Sequence, residues 1–121
     1  MNMDKIIELI AVAEANGNFE KSFRLHMEAA ERGNVVAMSE VGTMYMQGTG
    51  VAKNDAEGFK WILRAAEHNY PTAMAMVARM YELGIGTEQN IHEALKWYVD
   101  AANAGEEHAK NRLEQLFNER R

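Results

Sequence analysis

The chain has 121 residues, of which 18 are acidic and 13 basic, giving a formal charge of −5. Cysteine is absent, so disulfides and thiolate metal sites are excluded. The apolar runs are too short to cross a bilayer, and the dispersed basic residues do not favour nucleic-acid binding. We therefore expect one soluble cytoplasmic domain, with no export signal and no membrane contact, whose acidic surface suits a basic partner.

The spacing of apolar residues predicts seven helices, in chain order 4–15, 19–32, 37–47, 55–67, 73–83, 91–103 and 107–119. In the fourth, Phe59, Ile62 and Ala66 fall on one face of a helix, and the two-residue alternation typical of a strand is missing. Short links between the helices indicate antiparallel pairs. The fold class is therefore predicted to be all-α.

A period of 36 residues runs through these helices. The doublet Ala29-Ala30 returns as Ala65-Ala66 and again as Ala101-Ala102. Other positions that keep this period include Trp61/Trp97, Ala37/Ala73/Ala109, Val41/Val77, Met44/Met80 and Tyr45/Tyr81/Phe117. A fixed period of about 20 to 50 residues is typical of a solenoid built from stacked units. The chain is thus predicted to form an α–α superhelix of antiparallel helix pairs.

The end units depart from the repeat. The first has a connector of only three residues, 16–18, and the last is a single helix in which Leu113, Leu116 and Phe117 occupy core positions. This last helix is predicted to cap the open end of the stack. We predict a single domain, 1–121, that contains a divergent N-terminal unit (1–36), two repeats (37–72 and 73–108) and a C-terminal capping segment (109–121).

Helix ends carry their own signals. Asn54 with Glu57, and Asn90 with Glu93, have the spacing of capping boxes. In a capping box the side chain of each residue accepts a hydrogen bond from the backbone N–H of the other. The residues expected to close the second helices in a left-handed conformation are Gly33, Asn69 and Gly105. The glycine-rich segments 48–54 and 84–90 follow helices rather than strands, which favours flexible connectors over phosphate-binding loops.

The central motif resembles a known family. Ala37-x3-Val-Gly-x-Met-Tyr-x2-Gly-x-Gly-Val, followed by Asp55-x3-Phe-x-Trp-x3-Ala-Ala-Glu, is similar to the Sel-one-like repeat, a relative of the tetratricopeptide repeat. The resemblance is strong over 37–108 and partial over 19–36 and 109–117. It implies a right-handed superhelix whose first-type helices, the first of each pair, line a concave groove. Relatives act as scaffolds and adaptors that bind other proteins in this groove, and some short bacterial members inhibit a cognate toxin.

The partner-binding residues are predicted from this analogy. They lie on first-type helices, off the repeating apolar stripe, and they differ from unit to unit, as residues that determine partner specificity would. The predicted groove residues are Val36, Ser39, Thr43, Met46, Thr72, Ala75, Arg79, Glu82, His108, Asn111 and Gln115. Neutral drift of a surface would give the same pattern, so both interpretations stay open at this stage.

No other chemistry is predicted. The four histidines lack the spacing of metal ligands, and Ser22 aligns with Gly58 and Ala94, as a packing position rather than a nucleophile. His26 aligns with Ile62 and is expected on an apolar face. We therefore predict no catalytic residue, no cofactor and no metal.

The leading hypothesis is a non-enzymatic interaction module that holds another protein or peptide in its groove. The alternative is a cognate inhibitor, such as an immunity protein, that masks a basic toxin with its acidic surface. Oligomeric state is left open by the sequence, with a monomer favoured.

Overall fold

The computed structural model describes residues 1–119, which form seven α-helices joined by short connections. In chain order these are α1 (Met3–Ala15), α2 (Phe19–Glu31), α3 (Val35–Gln47), α4 (Asp55–Glu67), α5 (Pro71–Leu83), α6 (Ile91–Asn103) and α7 (Glu107–Glu119). This part of the chain contains no strand, so the all-α prediction is confirmed. Positions 120 and 121, which belong to the predicted capping segment, lie outside the described residues.

Two first-type helices begin earlier than predicted. Helix α3 begins at Val35 rather than 37 because the Asn34 side chain caps it, accepting a hydrogen bond from the Ala37 N–H at 2.8 Å. Helix α5 begins at Pro71 rather than 73, since proline suits the first helical position, where no N–H is required. Both helices therefore begin two residues before the predicted bound.

The predicted capping boxes form only in part. The Asn54 side chain accepts a hydrogen bond from the Glu57 N–H at 3.1 Å, as predicted. The prediction of a reciprocal bond from the Asn54 N–H to the Glu57 side chain is wrong, because this N–H donates instead to the Tyr45 carbonyl at 2.8 Å. Asn90 repeats this arrangement by donating its N–H to the Tyr81 carbonyl at 2.8 Å. The cap residue therefore ties the start of each second helix to the first helix of its pair.

Each helix packs against the helix before it and the helix after it, which produces an open stack. Val41, Val77, Ile62, Ala65 and Ala101 are fully buried along its axis, each at 0% exposure. The core thus repeats with the sequence period, as a solenoid requires. The second helices close on residues with positive φ, at Gly33 (96°), Asn69 (64°) and Gly105 (92°), which confirms that prediction.

The glycine connectors are packed rather than flexible. A Cβ atom on Gly50 would lie 2.1 Å from the Phe19 carbonyl oxygen, and one on Gly86 would lie 2.2 Å from that of Asp55. Both glycines also have positive φ, 73° and 72°. Each connector is therefore seated on the first turn of the preceding second helix, which explains its composition without a ligand.

The prediction that Phe117 is a core residue is wrong. Tyr45 and Tyr81, at equivalent positions, each pack edge-on against an aromatic ring of the preceding second helix, with ring centroids 5.2 Å apart. Phe117 meets Leu95 at that partner position and stays 62% exposed.

Candidate functional site

The helices α5 and α7 border an open depression of about 460 Å³. Six of the predicted groove residues line it: Ala75, Arg79, Glu82, His108, Asn111 and Gln115. Its wall is completed by Leu83, Tyr98 and Arg112. The sequence prediction for α5 and α7 therefore converges on one concave surface.

The repeat explains why these side chains meet. Asn111 occupies in α7 the position that Ala75 occupies in α5, and Gln115 occupies that of Arg79. Residues four apart lie on one face of a helix, and equivalent positions of stacked units lie side by side. Helices α5 and α7 thus each add one stripe to a common surface, and the identity of the side chain at each position sets its chemistry.

A hydrogen-bonded cluster forms the polar wall of the depression. The Tyr98 hydroxyl donates to Glu82 Oε1 at 2.7 Å. Arg112 Nε donates to Glu82 Oε1 at 3.2 Å and to Oε2 at 3.1 Å, and Arg112 Nη2 also donates to Oε2. Arg112 Nη1 donates to Gln115 Oε1 at 3.1 Å and lies 3.8 Å from a carboxylate oxygen of Glu119. Helices α5, α6 and α7 are therefore cross-linked at this point.

The cluster changes the acidity of its members. The hydrogen bonds from Arg112 hold the pKa of Glu82 below its usual value, against the opposing effect of burial. Burial, followed by the hydrogen bond to Glu82, raises the pKa of the Tyr98 phenol. Hydrogen bonding to Glu82 likewise raises the pKa of Arg112. At neutral pH the wall therefore holds an ionised glutamate, a neutral phenol and a charged guanidinium.

Arg79 stands apart from this cluster. It is exposed and lines the depression, and within residues 1–119 it has neither a hydrogen bond nor an ion pair. Its charge acts on Glu82 only at a distance, where it contributes to the lowered pKa of that carboxyl. The guanidinium is therefore available to a ligand.

The other predicted groove residues lie outside the depression. Ser39 is buried at 6% exposure, contrary to a groove position, and its carbonyl accepts a hydrogen bond from the Thr43 hydroxyl at 3.1 Å. Met46 is half-buried against the core, while Val36 and Thr72 are exposed. The α3 part of the predicted groove thus offers less accessible surface than the α5 and α7 parts.

Sequence reasoning missed three lining residues. Tyr98 aligns with His26 and Ile62, which are both buried, and this alignment indicates packing without revealing that the hydroxyl reaches Glu82. Leu83 and Arg112 were not among the predicted groove residues. The sequence signal for Arg112 is that α5 carries an acid, Glu82, and α7 carries a base. In the sequence alone this pair cannot be distinguished from two charges that are separately solvated.

The other chemical candidates have structural explanations. Ser22 and His26 are buried, and the Ser22 hydroxyl donates to Glu14 at 3.1 Å while His26 Nδ1 lies 3.0 Å from the Ser22 carbonyl oxygen. The predictions that both residues pack in the interior are confirmed. Among the described residues, no cluster of three or more histidine or acidic side chains is arranged to hold a metal ion. None of the seven helices combines the length and apolarity that a membrane span requires.

The stacked pairs and the depression on the first-type helices define an α-helical repeat protein. The sequence model of the Sel1 repeat matches residues 35–70 and 71–106, which together make up more than half of the chain. The chain therefore belongs to the Sel1 repeat family, as its motif predicted. Repeats of this family generally mediate protein–protein interaction.

Solved structures agree with this assignment. A Sel1 repeat protein from Oxalobacter formigenes is 30% identical with a TM-score of 0.84, over 91% of this chain and 45% of that one. The protective antigen c5321 of uropathogenic Escherichia coli, which displays an SLR fold, is 26% identical with a TM-score of 0.85, over 92% and 25%. This chain thus spans less than half the length of either protein.

A further structure shares the fold alone. Helicobacter pylori cysteine rich protein B is 22% identical with a TM-score of 0.78, over 91% of this chain and 81% of that one. Our chain contains no cysteine, so its stack holds together without disulfides. No curated protein sequence matches the chain.

Proposed function

We propose that this chain is a non-enzymatic binding module that holds a partner protein or peptide in the depression between α5 and α7. The observation that carries the proposal is that side-chain identity repeats in the core but varies in the depression. The core side chains repeat with the period, while the lining positions change from Ala75 to Asn111 and from Arg79 to Gln115. A constant frame with variable side chains is how repeat proteins create a specific surface.

The chemistry of the wall supports binding over catalysis. A general base at neutral pH needs a carboxylate that is free to take a proton, with a pKa near the working pH. Glu82 has the opposite properties, since its oxygens are occupied by Arg112 and Tyr98 and its pKa is lowered. Its role in the proposal is to fix the shape of the wall.

The predictions about toxin inhibition, cellular location and oligomeric state rest on the sequence alone. A cognate toxin inhibitor stays the alternative, suggested by the short length, the expected lack of an export signal and the acidic surface, and no feature of the depression favours it over an adaptor. Cytoplasmic location stays a prediction, which rests on the expected lack of an export signal and a membrane span and agrees with the absence of cysteine. A monomer stays the expected state.

The test is capture of the partner by groove variants. The full chain is purified from its native host, the co-purifying protein is identified by mass spectrometry, and its affinity is measured for two variants. Asn111→Trp fills the depression from an exposed position, and Arg79→Glu reverses its free charge. We expect each to weaken binding by about tenfold or more, which corresponds to one lost central contact.

Matched controls separate the depression from the rest of the surface. Asn118→Trp makes the same change at an exposed α7 position outside the lining, and Arg24→Glu makes the same charge reversal on α2. Both should bind the partner as the wild type does, with unchanged helical circular dichroism. Full affinity in the two groove variants would overturn the proposed site.

A further inference from the structure

We infer that the depression recognises a carboxylate side chain of the partner, with Arg79 as the residue that binds it. This inference rests on the proposed function and names the group that the site accepts. Its basis is a guanidinium that is unpaired within residues 1–119, in a lining whose carboxylate is already paired.

The donors are on three neighbouring side chains. Arg79 carries five N–H groups in a planar fork, and none is engaged within residues 1–119. The Gln115 oxygen accepts a hydrogen bond from Arg112, which leaves its NH₂ group as the free end of the amide. Asn111, which is exposed in the same lining, contributes a second amide. Guanidinium and amide donors together match the two oxygens of a carboxylate.

The carboxylate of the lining already has its partners. Among the described residues that line the depression, Glu82 is the one acid, and both of its oxygens accept hydrogen bonds from Arg112 while one also accepts from Tyr98. A second cationic group entering from a partner would compete with these bonds. An anionic group would instead meet Arg79 without displacing any contact. Charge complementarity at this surface therefore opposes the basic partner suggested by overall composition.

The net charge of the chain limits the ligand further. At −5, the whole molecule repels a tract of acids, and only the immediate surroundings of Arg79 favour one. Beside these donors, Leu83 is 54% exposed and lines the same depression. The occupant that fits both features is a single glutamate or aspartate next to an apolar side chain in an exposed segment of the partner.

The experiment titrates the full ¹⁵N-labelled chain with acetyl-Ala-Glu-Leu-amide and, in parallel, with acetyl-Ala-Gln-Leu-amide. We expect saturable amide shifts confined to the residues of α5 and α7 that line the depression. The affinity should be about tenfold higher for the glutamate peptide, which is the effect of one charge-assisted hydrogen bond. Arg79→Gln should remove this preference, whereas Arg24→Gln, the same change at an exposed α2 position, should keep it. Equal affinity for the two peptides, or a preference that survives Arg79→Gln, would overturn the inference.

The outcomes are distinguishable from failure of the proposed function. If Asn111→Trp abolishes partner capture while the glutamate peptide shows no advantage, the binding site stands and carboxylate recognition is wrong. If the natural partner binds Asn111→Trp and Arg79→Glu with full affinity, the site itself is wrong. A preference for glutamate that depends on Arg79 supports the inference directly, since the peptide probes the surface without the partner.

Discussion

Glu82 joins three consecutive helices through one carboxylate. It projects from α5, accepts the Tyr98 hydroxyl of α6 at 2.7 Å and binds the Arg112 guanidinium of α7. The equivalent residue of α3 is Met46, which packs against Gly58 and makes an apolar junction instead. The polar junction is therefore a local feature of the C-terminal half of the stack, adjoining the depression that it shapes.

Glu82 should make stability depend on pH in acid. Because its folded pKa lies below its unfolded value, its contribution is fully present at neutral pH and is lost as pH falls through the lowered pKa. Glu82→Gln should therefore be less stable than the wild type at neutral pH, by about 1.5 to 3 kcal/mol for hydrogen bonds to a charged group. Urea unfolding at descending pH should show this difference shrinking. A difference that stays constant into strong acid would show that ionisation of Glu82 has no part in stability.

At the scale of elements, the two central helix pairs, α3–α4 and α5–α6, share a sequence pattern but differ in how closely their two helices approach each other. A Cβ atom on Gly42 would lie 2.3 Å from Ile62 Cγ1 and 2.9 Å from the Gly58 carbonyl oxygen. The α5–α6 pair has Ala78 and Ala94 at the same two positions, both buried. Helices α3 and α4 therefore approach more closely than a methyl group allows, while α5 and α6 accommodate it.

Exchanging these residues between pairs should destabilise both. Gly42→Ala improves helix propensity but forces a methyl into Ile62 and the Gly58 backbone, and overpacking of this kind costs about 1 to 3 kcal/mol. Ala78→Gly, the matched reverse change, should cost about 1 kcal/mol through helix propensity alone and more through the lost buried methyl. Denaturant midpoints measure both effects. A rise in stability for Gly42→Ala would mean that propensity outweighs packing at this position.

The same scale shows what the sequence could predict. Helix number, period and left-handed ends depend on local apolar spacing and cap residues, so they were accessible from the chain alone. The burial of Ser39 and the exposure of Phe117 depend on how neighbouring helices tilt and on what covers them, which the period does not encode. The contact of Arg112 with Glu82 joins residues that are 30 apart in sequence and lie on either side of α6, and in the sequence the two residues resemble solvated charges. Positions on α5 and α7 that line the depression could therefore be chosen from the repeat, whereas side-chain contacts that reach between units could not. That these positions bind a partner stays a prediction.

Over the whole molecule, stability should vary along the stack. Each helix is held by its neighbours, and α7 packs chiefly against α6. Only Ala109 is buried in α7, whereas α3 buries residues along its whole length. Lys110 and Glu114 stand in α7 where α3 has Met38 and Gly42, so its outer face is polar, consistent with the predicted cap.

Hydrogen exchange should reveal this gradient. Amides of α3, α4 and α5 should exchange most slowly, because repeats in a linear stack are stabilised by both neighbours, and those of α7 should exchange fastest. Arg112→Gln removes the guanidinium that ties α7 to α5, so it should speed exchange in α7 while rates in α2 and α3 stay at wild-type values. Lys110→Gln, on the same helix and without a contact to Glu82, is the control and should leave α7 unchanged. Equal acceleration in every helix would instead show that the stack opens as one cooperative unit, and that the α5–α7 link contributes to global rather than local stability.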